Sequence, residues 1–406
     1  MLRCIGTAAD DFAGNYWGQR PLLSTSDSLP RDFLDLFSAD AADELVSLRG
    51  LRSPFLRMAK DGAVLATSRF TGPSGAGSQV SDQAIDDKVL AEFAGGSTLV
   101  LQALHRTWGP LRRFADQLVD DLANPIQVNA YITPASSQGF SAHYDTHDVF
   151  VLQIEGEKLW RLHEPVIEHP LPSQPWDRNK PAVSRRASEP PYLETMLRPG
   201  DALYLPRGWL HSAAAQGATS IHLTVGIHTM TRYAIAEALL SRAADTAGLR
   251  ANLPIGMDVS SAEEVGSEFD GVVKHLVARL LAAHADEVTT TLAGKLDRGI
   301  RPEPLSPLRQ AKIAASVMPD LEVRIRWGLR IDVSTNTTEL RGNAKLVAGQ
   351  RTLTFPGYCE PALRQLADGQ PVRVHDLRGL DEADAIALVS RLLREAIAVP
   401  AEQLKP

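Results

Sequence analysis

The sequence predicts an α+β protein built around a barrel or jelly roll of antiparallel strands. Between residues 126 and 230, short apolar stretches alternate with turns rich in glycine and proline, which is typical of such barrels. From residue 231 the apolar residues recur at helical spacing, and after residue 301 short strands and helices alternate. A chain of 406 residues has room for two or three domains, which we place at 1–230, 231–300 and 301–406.

Composition and charge narrow the possible classes of protein. The chain is 44% hydrophobic and 22% charged, which is ordinary for a globular protein, and its net charge of −7 argues against direct nucleic-acid binding. The two cysteines, Cys4 and Cys359, form neither a zinc motif nor a disulfide framework. Since no apolar run reaches the length of a membrane span and the N-terminus does not resemble a secretory signal, we expect a cytoplasmic protein without membrane attachment.

Residues 1–60 predict a helical lead-in to the barrel, and residues 85–125 predict a strand followed by a helix. Apolar residues recur at close to helical spacing between 31 and 48 and again between 110 and 122. In the second stretch Leu111, Phe114 and Leu118 form the stripe expected of a helix that faces the core. A short strand is predicted before this helix, at 97–101.

The strand-rich region follows. Alternating apolar and polar residues predict a strand at 126–132. We then expect a hairpin, with strands at 149–154 and 158–162 joined by a tight turn at 155–157. The proline-rich stretch 164–194 is predicted to be a long surface loop, and such loops often bind or cover ligands.

In the second half of the chain, helical periodicity replaces strand alternation. Residues 232–248 are predicted to be helical, and Phe269, Val273 and Leu280 lie at helical spacing. An apolar helical pair after a complete barrel favours an oligomerisation element, although such helices could instead pack on their own barrel. Residues 301–406 resemble a small winged-helix-like unit, without a basic stripe that would indicate nucleic-acid binding.

The strongest chemical signal is the His-x-Asp pair formed by His143 and Asp145. On a strand, residues two apart face the same side, so the imidazole and the carboxylate would converge. A later Pro-Gly-started strand ends in a Pro-x-Gly turn that presents His211. Two histidines and one carboxylate form the facial triad that binds Fe(II) and leaves positions open for a cosubstrate and O2. His147, four residues after His143, is a competing ligand.

A 2-oxo acid cosubstrate on such an iron would need a cation for its far carboxylate. Lys158 and Arg161 both follow the predicted hairpin turn, but they lie on opposite faces of the strand, so alternation leaves the choice open. Asn129 and Thr224 are polar residues on otherwise apolar strands. Either residue could bind a cofactor inside a barrel or face solvent.

Several stretches together resemble the JmjC-type ribosomal oxygenases, also called the cupin-4 group. They are Asn129-Ala130-Tyr131-Ile132-Thr133-Pro134, Ser137-Gln138-Gly139-Phe140, His143-Tyr144-Asp145, the run from Phe150 to Leu162, and the run from Leu203 to His211. The resemblance also covers the order of parts, namely a JmjC barrel, a helical dimerisation segment and a C-terminal winged-helix-like domain.

The resemblance implies a double-stranded β-helix of the JmjC and cupin type. It also implies an Fe(II)- and 2-oxoglutarate-dependent dioxygenase that hydroxylates an arginine or histidine of a ribosomal protein and releases succinate and CO2. The family's iron ligands correspond to His143, Asp145 and His211. Lys158 falls where the family places the residue that binds the distal carboxylate of 2-oxoglutarate, which decides between Lys158 and Arg161. The family's helical segment further implies a homodimer.

Other positions carry finer expectations. By resemblance Asn129 lies near the metal and cosubstrate, and Tyr131 lies near the substrate. Gly226 stands where some relatives carry a serine, and bacterial members more often have arginine at the Lys158 position, so the target amino acid stays open. The rival interpretations are the same chemistry on a peptide or small-molecule metabolite, and a non-catalytic cupin-like binding module. An intact triad with Lys158 argues against the binding module.

Overall fold

The computed structural model describes residues 1–77, 79–135, 137, 140–336, 342–349 and 351–401. Gln138 and Gly139, which belong to one of the quoted motifs, lie outside the described residues. The chain divides into two compact units, Met1–Thr229 and Met230–Pro406. No helix in the described ranges is long and apolar enough to cross a membrane.

The first unit contains a helical lead-in followed by strands. Its helices are α1 (Ala9–Asn15), α2 (Ala39–Leu48), α3 (Asp86–Ala94), α4 (Leu104–Thr107), α5 (Gly109–Leu122) and α6 (Lys180–Ala187). Its strands are β1 (Leu22–Ser24), β2 (Leu56–Lys60), β3 (Ala63–Val64), β4 (Thr71–Gly72), β5 (Gln83–Ala84), β6 (Thr98–Leu101), β7 (Ile126–Thr133), β8 (Asp148–His163), β9 (Leu193–Leu197), β10 (Ala202–Leu205) and β11 (Leu210–Ile227).

The main sheet is antiparallel and folds over on itself. Its strands follow the order β1–β10–β8–β11–β7–β6–β2–β3, and β9 adds to the far half of β8. The first half of β8 pairs with β10 and with the end of β11, whereas its second half pairs with β9 and with the start of β11. Two layers therefore share β8 and β11, which confirms the predicted α+β fold class with a jelly-roll barrel.

The hairpin predicted at 155–157 is wrong, because β8 continues through it as one strand of 16 residues. Gly156 has a φ of +64°, and a Cβ there would lie 2.1 Å from the carbonyl oxygen of Thr219. The partner strand β11 shifts register opposite this point, between Gln216 and Ile221. A glycine at positive φ serves a strand irregularity as well as a turn, so Glu-Gly-Glu does not distinguish them.

The lead-in packs on the outside of the sheet. The helix predicted at 31–48 begins only at Ala39, because the Ser38 hydroxyl caps α2 by accepting a hydrogen bond from the Ala41 amide at 3.2 Å. The predicted stripe on α5 is buried, as expected. Phe12 of α1 contacts the rings of Phe150 and Tyr204 at centroid distances of 5.9 and 4.9 Å. These aromatic contacts hold the strands that approach the site.

The second unit begins with helices and ends in a small α+β core. Its helices are α7 (Arg232–Ser241), α8 (Ala262–Leu281), α9 (Asp286–Gly299), α10 (Pro307–Ala315), α11 (Glu360–Ala367) and α12 (Glu382–Arg394). Its strands are β12 (Glu322–Ile325), β13 (Ile331–Asn336), β14 (Asn343–Ala348), β15 (Arg351–Pro356), β16 (Val372–Arg373) and β17 (Ala398–Pro400). They form two antiparallel sheets, β16–β12–β17 and β13–β14–β15. The division of this unit into a dimerisation segment and a winged-helix-like domain stays a prediction.

Candidate metal centre

The predicted triad converges in the first unit. One ligand atom from each of His143, Asp145 and His211 lies within 4.8 Å of the others. His143 and His211 face each other across an isolated antiparallel bridge, with backbone hydrogen bonds of 3.2 and 2.8 Å. The carbonyl of Asp145 accepts a hydrogen bond from the amide of Gly208 at 3.0 Å, which ties the Pro-x-Gly turn to the same loop.

The structural basis of this convergence differs from the prediction. His143 and Asp145 lie on an extended loop that precedes β8, not within a strand. Strand alternation therefore does not align their side chains. The bridge to His211, the second residue of β11, fixes the loop instead.

Backbone carbonyls orient both imidazoles. Nδ1 of His143 lies 2.8 Å from the carbonyl oxygen of Ser141, and Nδ1 of His211 lies 3.1 Å from that of Trp209. Since a carbonyl can only accept, each Nδ1 carries the proton and each Nε2 keeps a lone pair. Nε2 of His211 lies 3.8 Å from Oδ2 of Asp145, so the atoms that could bind a metal face one another.

Protonation in the cluster suits a divalent metal. Burial and, to a lesser extent, the neighbouring His143 lower the pKa of His211 to about 4. Burial acts to raise the pKa of Asp145, but the imidazoles of His147 and His211 outweigh it and hold the pKa below its ordinary value. At neutral pH the site therefore offers a neutral His211 imidazole and an ionised Asp145 carboxylate. These three residues thus fit an Fe(II) ion, with open positions for other ligands.

His147 lies beside the triad and is not one of its three clustered residues. Its ring stacks on that of His228 with centroids 5.0 Å apart. A Cβ on Gly226 would lie 2.8 Å from the His147 ring. The imidazole thus occupies space where a side chain at position 226 would project.

Lys158 is buried next to the triad. It is 4% exposed, its Nζ donates a hydrogen bond to Oγ1 of Thr133 at 3.0 Å, and it lies 3.3 Å from Nδ1 of His222. No carboxylate within the described part of the chain forms an ion pair with it, and burial lowers its pKa to about 7. Arg161 instead lies at the surface and pairs with Glu194 at 2.5 Å.

A pocket surrounds the triad and Lys158, and two of the other predicted residues lie in its walls. Tyr131 and Thr224 line it, and the Tyr131 ring stacks on His222 with centroids 5.1 Å apart. Asn129 is not among the lining residues. Its Oδ1 accepts hydrogen bonds from the Ala103 amide at 3.0 Å and from the Gln127 side chain at 3.3 Å. A cofactor role for Asn129 stays a prediction.

The proline-rich segment 164–194 covers the metal-ligand loop. It contains α6, and its Trp176 ring lies 6.1 Å from that of His143. The hydroxyl of Tyr144 donates to the carbonyl of Gln174 at 2.9 Å and accepts from the Asn179 amide at 3.1 Å. The segment thus shields one side of the site from solvent.

Sequence reasoning did not assign site roles to Thr133, His222 and Trp160, all of which line the pocket. Strand alternation could have suggested two of them, because Thr133 shares a face with Tyr131, and Trp160 shares a face with Lys158. Nε1 of Trp160 is buried without a hydrogen-bond partner among the described residues. His222 had no paired carboxylate in the sequence, and only the fold brings it to Lys158.

Comparison with known proteins identifies a domain model and several relatives. A model described as "JmjC domain" matches residues 105–235. Human "Ribosomal oxygenase 1" is 38% identical over 185 residues, covering 41% of this chain and 28% of the relative. Rat "Ribosomal oxygenase 1" is 31% identical over 312 residues, covering 71% and 50%. A Drosophila persimilis relative, "Bifunctional lysine-specific demethylase and histidyl-hydroxylase NO66", is 28% identical over 279 residues, covering 64% and 40%.

Solved structures share the fold along almost the whole chain. The "Crystal structure of Escherichia coli ribosomal oxygenase YcfD" aligns with a TM-score of 0.53 at 17% identity and covers 98% of this chain and 100% of that one. The same E. coli protein "in complex with Cobalt and 2-oxoglutarate" aligns with a TM-score of 0.52 at 17% identity, covering 97% and 98%. This chain spans half or less of the length of the three relatives described above.

Proposed function

This chain belongs to the JmjC-type ribosomal oxygenase family, and from that premise we propose that it is an Fe(II)- and 2-oxoglutarate-dependent oxygenase that hydroxylates a side chain of a ribosomal protein. One observation carries the proposal. Lys158, a buried amine with no counterion among the described residues, lies in the same pocket as the three side chains that can bind a metal. A ligand that combines a carboxylate with a metal-chelating group satisfies both.

Each pocket residue would have a distinct role. His143, Asp145 and His211 would hold the iron, whose chemistry with 2-oxoglutarate and O2 supplies the hydroxylation of an unactivated C–H bond with release of succinate and CO2. Lys158 and Thr133 would bind the distal carboxylate, since Lys158 already donates to Thr133 at 3.0 Å. The pocket itself orients the cosubstrate and excludes water.

Three wall residues can form hydrogen bonds with a polar ligand. The indole N–H of Trp160, which has no partner among the described residues, is positioned to donate a hydrogen bond to an oxygen-rich cosubstrate. Burial raises the pKa of Tyr131 to about 12, so its hydroxyl stays protonated and can donate to cosubstrate or substrate. Thr224 adds a second hydroxyl to the pocket wall.

The target side chain is proposed to be an arginine or a histidine of a ribosomal protein. Relatives named "Ribosomal oxygenase 1" support the ribosomal target, and a net charge of −7 favours encounter with a basic protein. The imidazole of His147 occupies the space beside Gly226. The free, buried thiols of Cys4 and Cys359 suit the reducing cytoplasm that we propose as its location.

We further propose a homodimer formed through α8. No residue of this 20-residue helix is buried, although Phe269 is 59% exposed and Leu281 83% exposed. Its apolar residues recur at i, i+4, i+7 and i+8 from Val265 and form one stripe. An exposed apolar stripe of this length is typical of a helix that awaits a partner.

The proposal is tested by mixing the iron-loaded protein with 2-oxoglutarate and ribosomal proteins from a strain that lacks this chain. We expect succinate, together with the mass of one added oxygen atom on one ribosomal protein. His211→Ala should abolish both and should lower metal affinity by about 100-fold or more, because even residues that only orient metal ligands contribute about 10–100-fold.

Other results would redirect the assignment. Loss of a methyl group with release of formaldehyde would indicate the lysine demethylation named for the Drosophila persimilis relative. Succinate only in the presence of a small metabolite would favour metabolite hydroxylation. No succinate with any of these substrates would leave the non-catalytic binding module.

A further inference from the structure

A second concave surface, the α2–α3 groove, lies on the outer side of the first unit. It is formed by α2, α3 and the bend of β8 and β11, and it has a cavity volume of about 630 Å³. None of its lining residues lines the metal pocket. Strand alternation separates the two sites: Thr133 of β7 faces the metal pocket, whereas Ile132 faces the groove.

The floor of the α2–α3 groove is apolar. Ile132 and Ile221 form its buried base, and Phe93 and Val46 line its sides. Leu90 of α3 is 66% exposed. An apolar surface that stays open to water in this way is typical of a binding site rather than of a finished core.

The rim of the groove is acidic. Asp43, Asp86, Asp87 and Glu155 lie along it, and no lysine or arginine does among the described residues that line it. None of these four carboxylates forms an ion pair within the described ranges of the chain, and the nearby Lys88 points elsewhere and donates to the Thr71 carbonyl at 2.9 Å.

Two of the four acids already have a structural role. Asp86 and Asp87 occupy the first turn of α3, where negative charge stabilises the helix dipole. Asp43 lies within α2 and Glu155 lies at the bend of β8, so neither serves a helix terminus. Both are exposed. Their charge remains available to a partner.

We propose that the α2–α3 groove binds a basic amphipathic segment of another polypeptide, with apolar side chains on the floor and lysine or arginine at the rim. Charge complementarity selects this occupant. An anionic lipid surface and a second copy of a chain with net charge −7 are both repelled by the rim. A polyamine would satisfy the rim but would leave the floor uncovered. The inference is independent of the chemistry at the metal centre.

The experiment measures fluorescence anisotropy of a labelled helix-forming peptide of leucine and lysine, with leucines at i, i+3, i+4 and i+7, against the full chain. We expect saturable binding that weakens with added salt. We expect binding to weaken by about threefold or more in each of three variants. Asp43→Lys and Glu155→Lys each reverse a rim charge, and Leu90→Asp removes an exposed apolar side chain of the groove.

Matched controls separate this site from nonspecific attraction. Asp368→Lys makes the same charge change at an exposed helix end in the second unit, and Leu34→Asp changes a leucine that is 61% exposed, comparable to Leu90. Both controls should bind the peptide as wild type does. Circular dichroism confirms folding of each variant, and the two lysine variants carry the test if Leu90→Asp does not fold.

Hydrogen exchange locates the bound peptide on the wild-type chain. We expect added protection in 39–48 and 86–94. The proposal is overturned by protection elsewhere only, by equal binding of the groove variants and wild type, by equal binding of a peptide with glutamate in place of lysine, or by no binding.

Discussion

At the scale of single residues, the buried lysine of the metal pocket is its most informative feature. Lys158 is 4% exposed, and its hydrogen-bonding partners among the described residues, Thr133 and His222, carry no negative charge. Burial keeps His222 neutral by lowering its pKa well below the ordinary value, and the nearby Lys158 acts in the same direction. We therefore expect the pocket to bind an anion most strongly when Lys158 is protonated.

Cosubstrate affinity should therefore depend on the protonation of Lys158. With a pKa of about 7 in the free protein, Lys158 is charged below that pH and neutral above it. Binding of a carboxylate above pH 7 requires proton uptake, so we expect 2-oxoglutarate affinity to fall from pH 7 to pH 9, by at most about tenfold per pH unit. Titration calorimetry with Mn(II) in place of iron measures this dependence. A flat profile for wild type would contradict it.

Replacing Lys158 with methionine should stabilise the ligand-free protein but abolish binding of the cosubstrate. Since the folded-state pKa of Lys158 lies below its unfolded value, the buried lysine destabilises the ligand-free protein fully below pH 7, and that cost disappears as the pH approaches 10.5. We expect Lys158→Met to raise the free energy of unfolding at pH 7 by about 1–4 kcal/mol. Urea unfolding of the ligand-free protein measures this change.

The same variant should lose cosubstrate binding, because methionine cannot pair with a carboxylate. Arg161→Met provides the control, since Arg161 is half-exposed and pairs with Glu194 at the surface. We expect it to leave both stability and 2-oxoglutarate affinity near wild type. Reduced stability with unchanged binding in Lys158→Met would assign the residue a purely structural role.

At the scale of elements, the bend shared by β8 and β11 joins the two layers of the barrel. Lys158 lies just after the bend, and Val149 and Val151 lie before it, yet all three line one pocket. The register shift between Gln216 and Ile221 lets β11 follow the same course. The geometry of the pocket therefore depends on one close approach between backbones.

Gly156→Ala should disturb that approach. The new Cβ would lie 2.1 Å from the Thr219 carbonyl oxygen, and the alanine would have to adopt a φ of +64°. We expect a loss of about 2–4 kcal/mol of unfolding free energy, from the left-handed conformation and from steric overlap with rigid backbone.

Gly217→Ala is the matched control for this prediction. Gly217 has a similar φ of +67°, but nothing lies within 4 Å of its ideal Cβ. It should lose only about 1–2 kcal/mol, the cost of the left-handed conformation alone. Equal losses in the two variants, measured by urea unfolding, would show that the close approach does not matter.

At the scale of the whole molecule, α8 suggests how chains associate. Phe269→Asp places a charge in the middle of its exposed apolar stripe. If two chains bury this stripe, the charge must be desolvated in the dimer, and the variant should be monomeric at concentrations where wild type is dimeric. Light scattering with size-exclusion chromatography measures the mass of each variant.

The control for this prediction changes an exposed leucine elsewhere in the second unit. Leu308 of α10 is 82% exposed and lies outside the α8 stripe. Leu308→Asp should leave the oligomeric state of wild type unchanged. A monomeric wild-type protein, or a Phe269→Asp variant that still forms dimers, would contradict the proposed dimer interface.

The sequence alone determined much of this picture, because its signals are local. Strand alternation and glycine and proline turns indicated an antiparallel barrel, and helical periodicity indicated α5 and α8. The pairing of residue types in His143-x-Asp145, with a later histidine presented by a turn, indicated an iron site. These signals depend on neighbours in the chain, so the sequence displays them directly.

Only the tertiary structure decided how these parts meet. Alternation left Lys158 and Arg161 equivalent, and the family resemblance favoured Lys158, but only the fold shows that Lys158 is buried beside the triad and Arg161 exposed. A glycine between two glutamates predicted a turn, but the approach of Thr219 makes it a bend within a strand. His143 and Asp145 converge with His211 through a bridge between segments far apart in the chain. Such outcomes depend on long-range contacts, and no local pattern of residues encodes them.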